Sequence, residues 1–63
     1  MPLRETTVLV VDDDVCILRM MQHVLELEGY RVVKVSDGSA AINKFYEETP
    51  NLVLLDIMLP DIF

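Results

Sequence analysis

Val8-Leu9-Val10-Val11-Asp12-Asp13-Asp14 and Leu52-Val53-Leu54-Leu55-Asp56 have one shape: a continuous apolar run that ends in aspartate. Runs that are apolar at every position, rather than at every second one, are the pattern of strands buried on both faces in a parallel sheet. If the two runs are neighbours in one sheet, as many as four carboxylates (Asp12, Asp13, Asp14 and Asp56) gather at one edge. Such a cluster repels itself and needs a cation, protons or a phosphoryl-transfer task to justify it.

The residues between the runs set the topology. The first strand spans Thr6 to Val11, and Asp13 or Asp14 is placed to cap a helix over Val15 to Glu28. In that helix Ile17, Met20, Met21, Val24 and Leu25 share one arc, widened by Leu18 and Leu27. Arg19, Gln22, His23 and Glu26 fall on the opposite arc, and Gly29 suits the left-handed residue that closes the helix. Arg31 to Val35 reads as a second strand, mixed enough in polarity for a sheet edge. A shorter helix from Ser39 to Glu48 turns Ala41, Ile42 and Phe45 inward, and Thr49-Pro50-Asn51 stops it. Leu52 to Leu55 is the third strand, its uniform apolarity suiting a central position, and Ile57 to Phe63 a loop.

The order β-α-β-α-β implies an α/β fold with a parallel sheet and right-handed crossovers. A partial doubly wound, flavodoxin-like sheet of three strands in spatial order 2-1-3 sets the two aspartate-ended strands side by side, about 4.8 Å apart. Ligands in such sheets bind beyond the carboxyl ends of the strands, where Asp12, Asp13 and Asp56 would converge.

Sixty-three residues make one small domain. A chain of this size buries only about 60% of the surface that it exposes unfolded, so its stability is marginal. Cys16 is the one cysteine, which excludes an internal disulfide and suits a reducing compartment. No apolar run is long enough to span a membrane, and the first residues do not read as a signal peptide, so a cytoplasmic location is expected. Five Lys+Arg against eleven Asp+Glu give a formal net charge of −6 with no basic run, which disfavours contact with nucleic acid.

Several carboxylates and no softer ligand select a hard cation, and Mg²⁺ takes one or two carboxylates plus waters and phosphate oxygens. No Ca²⁺-loop pattern, zinc-ligand pairing or glycine-rich phosphate loop is present. A carboxylate can itself be the nucleophile in phosphoryl transfer, given a metal to offset charge repulsion. Asp56, at the end of a strand, meets the positional requirement, with Asp12 and Asp13 to hold the metal. Asp14 reads better as a cap, His23 as an exposed bystander, and Cys16 as a small packing residue.

With these residues in view, Val8 to Asp14, Ser36-Asp37-Gly38 and the run from Asn51 to Asp61 together resemble the receiver domain of bacterial two-component response regulators. The resemblance extends from Thr7 to about Asp61. It implies that Asp12 and Asp13 bind Mg²⁺, that Asp56 accepts a phosphoryl group and also faces the metal, and that the backbone carbonyl of Met58 completes the metal shell. Pro60 would shape the following loop. It further implies a sensor histidine kinase as phosphoryl donor, and a signalling role rather than an enzymatic one. A receiver has five strands and five helices, so residues 1–63 correspond to its N-terminal half, without the later hydroxyl and lysine of the site. The far edge of the third strand is then open, and a homo-oligomer formed through it is expected. Two alternatives remain: a Mg²⁺-dependent phosphatase of haloacid dehalogenase type, with Asp12 and Asp14 as its acid pair, and an inactive scaffold.

Overall fold

The computed structural model describes residues 6–55; Asp56, Met58 and Pro60 lie outside the described residues. Five elements follow in order: β1 (Thr7–Val11), α1 (Val15–Leu27), β2 (Arg31–Val35), α2 (Gly38–Glu48) and β3 (Leu52–Leu55). The strands form one parallel sheet in the order β2-β1-β3. The α/β class, the alternation and the 2-1-3 order all agree with the sequence reading, as do the bounds of β2 and β3.

Alternation along β1 builds two cores from one strand. Val8 and Val10 face α1, where they pack with Leu18 and with the partly buried Met21, Leu25, Val32 and Leu54. Leu9 and Val11 face the other way and pack with Val35, Ala41, Val33 and Ala40 below α2. Val8, Leu9, Val10 and Val11 are each at most 2% exposed, which makes β1 the buried centre of the sheet. This is why its sequence shows no polar alternation.

Local chemistry fixes the ends of both helices. Asp14 caps α1, its carboxylate accepting from the N–H groups of Cys16 at 2.9 Å and Ile17 at 3.4 Å. The Gly29 N–H donates to the Glu26 carbonyl and the Tyr30 N–H to that of Leu25, a Schellman closure with Gly29 at φ 93°. Asp37 caps α2, its carboxylate accepting from Ala40 N–H at 2.7 Å. Thr49 ends that helix in the left-handed region, at φ 43° and ψ 60°.

Two expectations about inward faces need correction. In α1 Leu18 is buried and Met21 and Leu25 are partly buried, while Ile17, Met20, Val24 and Leu27 are exposed. In α2 Ala41 is buried, but Ile42 and Phe45 are exposed. The cause is the placement of the helices: α1 lies over β1 and β2, and α2 over the same two strands on the opposite face. Neither lies over β3, so the outer part of each apolar arc has no strand beneath it among the described residues. Among the described residues β3 is an edge strand rather than a central one, with Leu52, Val53 and Leu55 exposed. Cys16, expected to pack, is exposed in the first turn of α1. No helix among the described residues is long and apolar enough to cross a membrane.

Candidate functional site

The parallel register decides which residues meet at the carboxyl edge. Val11 pairs with Val35 on one side and with Leu55 on the other. Asp12 follows Val11, and its N–H donates to the Val35 carbonyl at 3.1 Å, which extends the β1–β2 ladder by one bond. Its backbone is therefore held by the sheet. Its side chain is half-buried, and its Oδ1 accepts from the Asp14 N–H at 2.9 Å, an Asx turn that bends the chain from β1 into α1.

The three consecutive acids thus separate into three situations. Asp12 is fixed by the sheet and the turn. Asp13 is exposed and makes no hydrogen bond or ion pair among the described residues. Asp14 is committed to the helix N-terminus, as the sequence reading preferred. An ionised carboxylate offers about four lone-pair sites. Asp12 uses one of these on Asp14 N–H, which leaves Oδ2 and part of Oδ1, and Asp13 keeps both oxygens.

Asp12 also opens on a cleft of about 280 Å³ that it lines with Val10, Val11, Ile17, Met21, Leu54 and Leu55. The cleft runs between the start of α1 and the carboxyl ends of β1 and β3. Among the described residues its lining side chains are apolar apart from Asp12.

The donor set here is oxygen only, which fits a hard divalent cation such as Mg²⁺ and does not fit zinc. Two acids are not a complete cage, and among the described residues no group of three or more acids, histidines or cysteines is arranged to hold a metal. The further ligands implied by the resemblance, Asp56 and the Met58 carbonyl, lie outside the described residues. His23 is exposed on α1, where the sequence placed it on the polar arc.

One residue at the opposite end of β3 escaped the sequence reading. Asn51 grips β1 twice: its Oδ1 accepts from the Thr7 N–H at 2.8 Å and its own N–H donates to the Thr7 carbonyl at 2.9 Å. In sequence it read only as part of a helix stop. An amide side chain directly before a uniformly apolar strand was the available signal.

A doubly wound parallel sheet with paired acids at the carboxyl end of its first strand defines an α/β module with an acidic edge at its switch point. The family model for the response regulator receiver domain matches residues 8–63, and the chain belongs to that family of signalling domains. It is 47% identical over 53 residues to the "Probable transcriptional regulator ycf27" of Guillardia theta, covering 84% of this chain and 21% of that protein. The "Alkaline phosphatase synthesis transcriptional regulatory protein PhoP" of Bacillus subtilis is also 47% identical over 53 residues, with 84% and 22% covered. The "Probable transcriptional regulatory protein TcrX" of Mycobacterium tuberculosis is 44% identical over 55 residues, with 87% and 24% covered. The chain therefore spans between 21% and 24% of the length of these three relatives.

Proposed function

We propose that this chain is the N-terminal half of a phosphoacceptor receiver in a two-component phosphorelay, with Asp56 as the residue that takes the phosphoryl group. The observation that carries the reading is the pairing of Val11 with Leu55 in adjacent parallel strands. One acid pair follows Val11 in the sequence and Asp56 follows Leu55, so the register supports a shared site at the sheet edge. Family membership supports the same reading.

In this proposal Asp12 and Asp13 hold Mg²⁺ through their carboxylates, together with Asp56 and the backbone carbonyl of Met58. Bound Mg²⁺ would offset the repulsion between these acids and the incoming phosphoryl oxygens. Each protein group has its own task. The ladder bond from the Asp12 N–H and the Asx turn to Asp14 hold the Asp12 carboxylate in place before any ligand arrives. Asp13, exposed, would be a ligand reached directly from solvent. A carboxylate oxygen of Asp56 attacks phosphorus, the phosphorus–nitrogen bond to a kinase phosphohistidine breaks, and the released imidazole nitrogen takes a proton. The product is an acyl phosphate that carries up to about two negative charges where the free carboxylate carried one, and adds three acceptor oxygens, a local change able to bias a two-state surface.

The partner implied is a sensor histidine kinase, in the cytoplasm. The chain is a signalling module, not an enzyme with its own turnover. The apolar β3 edge, open among the described residues, supports self-association by strand pairing, which sedimentation at micromolar concentration would detect as a dimer. A small-molecule phosphoryl donor tests the main reading. Uptake in Mg²⁺ that is lost in Asp56→Asn and lost on chelation supports it; uptake unchanged in Asp56→Asn overturns it.

A further inference from the structure

A strand that is apolar at every position has no inside and outside by which to set its own height. β3 is Leu52-Val53-Leu54-Leu55, and none of the four is fully buried. Sliding it by one residue against β1 exchanges one apolar set for another, so burial discriminates weakly between registers. The discrimination must come from polar contacts, and the two at Asn51 supply it. Both end on the same residue of β1, Thr7, one at its N–H and one at its carbonyl. A one-residue slip moves Asn51 by about 3.3 Å along the strand, which breaks both bonds. The main-chain bond is open to any residue with an N–H; the bond to Thr7 N–H needs a side-chain acceptor on a short stem. Pro50, directly before, has no N–H with which to form an alternative ladder bond.

We propose that Asn51 is a positioning residue: its clamp on Thr7 sets the height of β3 against β1, and so keeps Leu55, the residue before Asp56 in the sequence, level with Val11, the residue before Asp12. The inference rests on the phosphoacceptor reading for the role of Asp56, and on the observed clamp for the role of Asn51. It links one end of β3 to the chemistry at the other, through four residues of ladder that run Val8–Leu52 to Val11–Leu55.

The test compares Asn51→Ala, Asn51→Asp and Ala41→Gly in the full chain. Asparagine and aspartate both present Oδ1, whereas alanine has no acceptor. Ala41→Gly loosens α2 on the far side of β1 and reports what lost stability alone does. Three properties are read: NMR contacts between Val8 and Leu52 and between Val11 and Leu55, Mg²⁺ affinity by titration, and phosphoryl uptake from acetyl phosphate. Asn51→Ala is expected to lose or shift the cross-strand contacts and to weaken Mg²⁺ binding and uptake by about 10-fold or more, as for other residues that orient a metal ligand. Asn51→Asp should stay within about two-fold of the natural chain, and so should Ala41→Gly despite its lower Tm. Natural contacts and affinity in Asn51→Ala, or an equal loss in Ala41→Gly, would overturn the proposal. If the natural chain takes up no phosphoryl group, the reading of Asp56 fails, and the cross-strand contacts still decide the role of Asn51.

Discussion

Alanine at each of the three consecutive acids should produce three different outcomes, because the structure places the acids in three different surroundings. Asp14→Ala removes the α1 cap. The bond to Cys16 N–H at 2.9 Å is a full hydrogen bond, while that to Ile17 N–H at 3.4 Å is beyond the usual range and contributes little. The expected loss is that of one cap, about 1 kcal/mol. With a urea slope of about 1 kcal/mol/M for a small domain, the midpoint falls by about 1 M. Asp13→Ala removes an exposed acid with no partner among the described residues, so without Mg²⁺ its stability should stay within about 0.5 kcal/mol of the natural chain. Asp12→Ala loses the Asx bond to Asp14 N–H and should cost about 1 kcal/mol. Adding Mg²⁺ at ten times its dissociation constant stabilises any form that binds it by about 1.4 kcal/mol. Asp14→Ala should keep that increment, while Asp12→Ala and Asp13→Ala should lose most of it. Urea unfolding with and without Mg²⁺ reads all of these. Loss of the Mg²⁺ increment in Asp14→Ala, or a cost for Asp13→Ala equal to that of Asp14→Ala without Mg²⁺, would contradict this division of roles.

Three further substitutions test the frame that carries the site. Gly29→Ala meets open space, but at φ 93° its new Cβ strains the backbone, so thermal unfolding should show a loss of about 1 kcal/mol. Thr49→Gly relieves a β-branched residue held at φ 43° and should raise stability by a similar amount, about 1 kcal/mol. Leu9→Ala opens a cavity in the most buried strand, where the side chain is 1% exposed, and should cost about 3 kcal/mol in denaturant unfolding; in a domain this small that leaves little folded chain.

How much of this was legible in the sequence depends on the kind of signal. Strand positions were clear, because β1 and β3 are uniformly apolar and end in aspartate, and β2 and β3 have the expected bounds. α1 ends one residue before its expected end because Glu28 serves as its C-cap. α2 begins one residue early because Asp37, not a later residue, caps it. Helix faces were less clear. Periodicity identifies an apolar arc, but it does not say which part of the arc meets the sheet. The sheet decided that: with both helices over β1 and β2, Leu18 and Ala41 point inward while Ile17, Met20, Ile42 and Phe45 do not. The acids were legible as a group. Their division into sheet-held Asp12, exposed Asp13 and capping Asp14 depended on backbone geometry that the spacing only partly encodes. The Asn51 clamp was hidden because it joins residues 44 apart in sequence.

The central claim is that one carboxylate, Asp56, is the phosphoryl acceptor served by the acids at the end of β1. Mapping the modified residue tests it most directly. After reaction of the full chain with a phosphohistidine or acetyl phosphate donor in Mg²⁺, borohydride reduction of the acyl phosphate marks its position for mass spectrometry. The account predicts the mark on Asp56 alone. A mark on Asp12 would contradict it and point to the phosphatase-type use of the first acid cluster.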